Sequence, residues 1–175
     1  MKITKWLTED ECKAAINQYL EKYDNNTLVA DDAHLFFKTL FGGIYSSKVE
    51  EEDEDKQELW ENMSDDIEEF ESLGYFIEVR DINQNYVFKL TDTEQKIGIY
   101  EGEYNVDEAN ELLGTKHVVW MDWTPACQLK IMKGNPNTDP EFFAGDCTVK
   151  GSLKLGSKPR QWIYDLFVFI DREVE

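Results

Sequence analysis

The chain has 175 residues and carries 18 Lys and Arg against 37 Asp and Glu, a formal net charge of −19. Charge of that sign repels polyanions and the anionic face of a membrane, which argues against direct nucleic-acid binding. Hydrophobic residues make up 41% and aromatics 13%, so the acidity does not mark a disordered tail; at this length a single domain over 1–175 is expected, burying roughly 70% of the surface of the unfolded chain.

Cys12, Cys127 and Cys147 are odd in number, widely spaced and form no CxxC pair, which fits a reduced compartment better than a zinc or redox site. The N-terminus turns acidic by Glu9 without an apolar signal region. No apolar stretch approaches the ~20 residues of a spanning helix. A cytoplasmic protein with no integral membrane segment is expected.

The first part of the chain, residues 1–74, reads as an acidic helical region. Thr8 and Glu11 form a capping box, and Cys12, Ala15, Ile16, Tyr19, Leu20 and Tyr23 recur at helical spacing over about residues 9–23. A second series, Leu35, Phe36, Phe37, Leu40 and Phe41, follows the caps Asp31 and Asp32 and is expected to stop at Gly42-Gly43. The run Glu50 to Asp55 leads into Leu59, Met63, Ile67 and Phe70, a third helix whose acidic start complements the helix dipole and for which Gly74 supplies the stop. That run lacks the Gly and terminal Glu of an EF-hand loop, so it reads as a solvated face and no metal site is assigned.

From residue 75 the period changes to two. Tyr75 to Ile82, Tyr86 to Thr91 and Gln95 to Glu101 are separated by the turn triplets Asn83-Gln84-Asn85 and Asp92-Thr93-Glu94, a three-stranded meander with one covered face. A short helix, Asp107 to Leu113, ends at Gly114, and His117 to Trp123 is extended. Cys127 to Met132 and Cys147 to Leu155 also read as extended, with one helical turn at Glu141 to Ala144 after Pro140. The last helix is expected to start at Ser157, with Pro159 in its first turn, and to carry Trp162, Ile163, Leu166, Phe167 and Ile170; a buried strand over Trp162 to Ile170 is the alternative. The fold class is therefore α+β, with N-terminal helices on one face of a roughly five-stranded, mainly antiparallel sheet and a C-terminal helix.

Catalytic motifs are missing from this sequence. His34 and His117 are the available imidazoles; His34 reads as a helix-surface or core residue and His117 as partly buried structure. There is no GxSxG elbow, phosphate loop or dinucleotide fingerprint. Carboxylate pairs are uninformative among 37 acidic residues. No catalytic residue and no cofactor are assigned. What stands out is apolar surplus at Phe142-Phe143, at Trp120-Met121 and in the last helix, residue types that build a core and a ligand cavity alike.

From Phe142 to Leu155 the chain resembles the sterol carrier protein family, in which an apolar and a small residue precede a Gly, an alternating strand, a second Gly and a closing helix. Gly145 and Gly151 occupy the glycine positions and Trp162 to Ile170 the closing helix. Tyr75 to Asp81, Tyr86 to Asp92 and Ile97 to Gly102 resemble the family's first three strands, and Ala126 to Ile131 the strand after its crossover, so the likeness spans about residues 70–172. It implies helices on one face of a five-stranded sheet, enclosing an apolar cavity for fatty acyl chains, sterols or other lipids, and transfer rather than catalysis. Trp120, Phe142, Phe143, Trp162, Ile163, Leu166, Phe167 and Ile170 are the expected lining. The alternative is an interaction module in which the acidic helix 50–72 engages a basic protein partner and the core is closed. An enzyme using scattered carboxylates, Cys127 or Cys147 has least support.

Overall fold

Alternation of apolar and polar residues lays down one sheet, seen in a computed structural model that describes residues 1–175. Its strands are β1 (Lys2–Trp6), β2 (Ser72–Val79), β3 (Gln84–Thr91), β4 (Gln95–Glu101), β5 (Val118–Trp123) and β6 (Cys147–Lys150). The helices are α1 (Glu9–Asp24), α2 (Ala33–Ser47), α3 (Glu54–Phe70), α4 (Val106–Leu113), α5 (Pro125–Met132), α6 (Asp139–Ala144) and α7 (Leu153–Phe169). The architecture is α+β, as expected.

The six strands run in the order β1-β4-β3-β2-β5-β6. Neighbours are antiparallel except β2 and β5, which pair in parallel from Gly74 opposite Val118 to Val79 opposite Trp123. A parallel pair needs a crossover, and the path through β3, β4 and α4 supplies it. The sheet gains one strand over the expected five because Lys2–Trp6 adds to the edge beside β4. Five residues of charged and apolar character at the head of a helical region left that strand unread.

Helices α1, α4 and α6 lie close to where the sequence reading places them, and the other four depart from it. The α2 helix runs through Gly42-Gly43 instead of ending there. A Cβ at Gly42 would sit 2.5 Å from the carbonyl oxygen of Cys12, and one at Gly43 would sit 2.8 Å from Leu166 Cδ1. These glycines permit close approach of α1 and α7 to α2, so they are packing residues. The α3 helix ends at Phe70, with Glu71 at a φ of 67°, and Gly74 belongs to β2.

Cys127 to Met132, read as extended and matched by resemblance to a strand, is helical. Thr124 accepts a bond from the Cys127 N–H at 3.2 Å and Pro125 occupies the first turn, the ordinary start of a helix. Its buried residues Cys127, Gln128, Ile131 and Met132 then recur at helical spacing. The strand after the crossover is Val118–Trp123 instead.

The segment Cys147 to Leu155 splits into a four-residue strand and the start of α7, which is capped by Ser152 rather than Ser157. Pro159 therefore lies inside the helix. It lacks the N–H that would bond the Leu155 carbonyl. The buried Tyr75 hydroxyl, on β2, donates to that carbonyl at 2.8 Å and replaces the lost bond. Trp162 to Ile170 is helix through Phe169, which removes the strand alternative.

The main core lies between one face of the sheet and helices α1, α2, α3, α5 and α7. Tyr86, Phe88 and Leu90 point into it, as their alternation predicts. Aromatic side chains of α2 fill the layer above the sheet: Phe37 packs on Tyr86 and Phe88, and Phe41 on Phe88 at 4.9 Å between ring centroids. The opposite face is not simply solvated. Phe76, Val87, Tyr100, Val118 and Trp120 form a second, smaller cluster there with Ala109 and Leu113 of α4.

Candidate functional site

An apolar groove opens where the β5–β6 edge of the sheet meets α6 and the first turns of α7. Met121 and Val149 form its floor, Cys147 one wall, and Phe142, Phe143 and Leu153 its mouth; its volume is about 320 Å³. That is the lower end of the range for small-molecule sites. A narrow extension of about 40 Å³ continues inward between Trp123, Ile131, Pro136 and Ile163. Larger hollows of about 500, 580 and 410 Å³ elsewhere are open and lined mainly by polar side chains.

The groove is positioned from below by Arg80. Its guanidinium binds Asp122 of β5 through two bonds, of 2.8 and 2.9 Å, and also donates to Thr148 of β6 and to the Gly145 carbonyl. The fork geometry of Arg thus ties β5, β6 and the end of α6 together. Thr138-Asp139-Pro140 starts α6, and Gly145, with a φ of 82°, closes it in the left-handed conformation.

No residue of α6 is buried. Two ion pairs hold it to the body, Asp139 to Arg160 of α7 at 2.6 Å and Glu141 to Lys130 of α5 at 2.5 Å. The Arg160 guanidinium keeps the Asp139 carboxyl below the usual carboxylate range. The Asp139–Arg160 ion pair and the hydroxyl-bearing residues Thr138 and Ser157 are the polar residues beside the apolar mouth.

Of the eight residues expected to line a cavity, Phe142 and Phe143 line this groove, and Ile163 reaches its narrow extension. Trp162, Leu166, Phe167 and Ile170 do not; they are buried in the main core. The expected space between sheet and helices is occupied by the α2 aromatics, and the open volume lies at the sheet edge. Trp120 belongs to the opposite face, stacked on Tyr104 and covered by Lys150. Its side chain alternates away from Met121, which does face the groove.

Val149, Leu153 and Arg160 were missed by the sequence reading, and Met121 was singled out as apolar surplus without being placed in the lining. Val149 was legible from the alternation of Cys147 to Lys150, whereas the Asp139–Arg160 pair bridges 21 positions and depends on the fold.

The remaining reactive side chains are remote or quiescent. His34 is exposed on α2 and bonds the Asp31 carbonyl. His117 is exposed rather than partly buried, edge-on to Phe70. Burial pushes the Cys12 and Cys127 thiols up to about 12 and Cys147 to about 11, so all three are protonated and weakly nucleophilic near neutral pH. No group of three or more His, Cys, Asp or Glu side chains is arranged to hold a metal ion. No helix is long and apolar enough to cross a membrane.

Comparison of the chain with models of known protein families finds no match, and comparison with curated proteins finds none either.

Proposed function

We propose that this α+β protein binds an acyl-type lipid without catalysis, holding the apolar chain in the groove between β6, α6 and α7. The observation that carries the reading is the groove itself, an apolar trough whose mouth is edged by the Asp139–Arg160 pair and hydroxyl groups. Burying an acyl chain contributes about 0.8 kcal/mol per methylene, and such a site needs no stronger chemistry. The sterol-carrier resemblance of residues 70–172 points the same way, and Gly145 and Gly151 both adopt positive φ at the positions that carry it.

The test is titration with a fluorescent fatty acid. Wild-type protein should saturate near one equivalent, while Val149→Trp, which fills the groove from a half-buried position, should lose at least tenfold in affinity with an unchanged circular dichroism spectrum. Equal binding by both proteins would remove the groove from the reading.

A second reading draws on the outer face of α3, where Glu54, Asp55, Glu58, Glu61, Asp65, Glu68 and Glu69 are exposed. A basic protein partner held there would elute as salt rises, because exposed charges are screened beyond about 8 Å at physiological ionic strength. A lipid in the groove would be retained.

A further inference from the structure

The mouth of the groove also carries the most exposed large hydrophobic side chain of the protein. Phe143 is 84% exposed and Leu153 61%, with Phe142 between them and the floor at 39%. No other large hydrophobic side chain is as exposed as Phe143. A phenylalanine this exposed, whose one aromatic partner is its neighbour Phe142, gains little folding stability from its position. Its placement invites an occupant.

Charge narrows what that occupant can be. Residues 147–164 contain Lys150, Lys154, Lys158 and Arg160 and not one Asp or Glu before Asp165, in a chain of net charge −19. Asp139 is paired with Arg160, Glu141 with Lys130, Lys154 with Glu69 and Lys158 with Asp66, so the exposed Asp146 and Lys150 are the charges of this stretch left outside ion pairs. The rim is therefore close to charge balance while the rest of the surface is acidic. A second copy of the chain would bring another −19, and a few side chains fall short of the ~1,000 Å² that a stable protein interface needs. A basic protein would be drawn to the acidic faces instead. A lipid surface fits: exposed aromatic and aliphatic groups enter the headgroup boundary, and the paired charges around them present little net charge to it.

We propose that Phe143 and Leu153 seat the mouth of the groove in the interfacial layer of a zwitterionic bilayer, so that an acyl chain passes between membrane and groove without crossing water. The overall negative charge disfavours strongly anionic membranes for the same contact. This rests on the lipid-binding reading for its purpose, but not for its measurement.

Flotation of the full chain with phosphatidylcholine vesicles, carried out without added ligand, tests the contact. Wild-type protein should float with the vesicles, and Phe143→Ser/Leu153→Ser should float at least tenfold less while keeping the wild-type thermal midpoint. Phe143→Trp should float as wild type does. Addition of phosphatidylserine to the vesicles should weaken flotation. The proposal is overturned if wild-type protein stays in the lipid-free fraction, if the double variant floats equally, or if binding grows with phosphatidylserine content. Self-association of wild-type protein in lipid-free sedimentation, lost in the double variant, would assign the patch to a second copy and overturn it as well. Val149→Trp separates the two readings: it should lose the fatty acid and still float.

Discussion

Asp165 shows how a single side chain sets a pH dependence in this fold. It is buried between α3 and α7, where burial raises its carboxyl above the usual value of 3.8, the Asp66 charge adds to the rise, and bonds from Asn62 and Gln161, at 2.7 and 2.9 Å, oppose it. A raised carboxyl pKa means that the folded state binds its proton more tightly than the unfolded state does. Its contribution is then largest at low pH and declines as pH rises through the folded value. Asp165→Asn removes the titration, and an amide flip of Asn62 keeps the pairing. Denaturant midpoints at about pH 4 and pH 7 should show wild-type protein losing ground to Asp165→Asn as pH rises. A constant difference between the two proteins would contradict this account.

At the scale of elements, the sequence showed hydrophobic period well and the origin of stops and starts less well. The stripes of α1 and α3 and the α4 helix with its Gly114 cap are present where the spacing places them. So is the β2–β4 meander, except that β2 spans Ser72–Val79 and its turn falls at 80–83, with Gln84 and Asn85 already in β3. Failures occurred where a residue serves a neighbour distant in sequence. Gly42 and Gly43 look like a stop and are contact points, and Pro159 looks like a first-turn residue but lies inside α7 because Tyr75 supplies the missing donor. The groove shared this difficulty: Phe142 and Phe143 were legible as apolar surplus, but which residues faced them depended on α6 folding back over β6. The Tyr75–Pro159 arrangement makes a quantitative prediction. Tyr75→Phe leaves the buried Leu155 carbonyl unsatisfied and should cost about 1–3 kcal/mol. In a Pro159→Ala background, where a helical N–H returns to that carbonyl, the same change should cost much less. A double-mutant cycle with no coupling would refute the compensation.

At the scale of the whole molecule, charge dominates. With a net charge of −19 the folded chain repels itself more strongly than the expanded one does. The ion pairs, such as Lys154 with Glu69 and Arg172 with Asp24, lie at the surface and contribute little each. Raising NaCl from about 20 mM to about 500 mM shortens the screening length from roughly 20 Å to about 4 Å. The thermal midpoint should therefore rise by several degrees; a fall would mean that the ion pairs outweigh the global repulsion. The same acidity explains why the charge-balanced rim of the groove is distinctive. It is the part of the surface where an apolar ligand or a neutral membrane meets no electrostatic barrier.

Whether the groove holds a lipid is tested most directly by native mass spectrometry of freshly purified protein, with solvent extraction to identify what is released. Wild-type protein should carry a stoichiometric adduct of acyl-lipid mass, and Val149→Trp should be a bare chain. A wild-type chain that carries nothing and takes up no added fatty acid would contradict the lipid-binding reading.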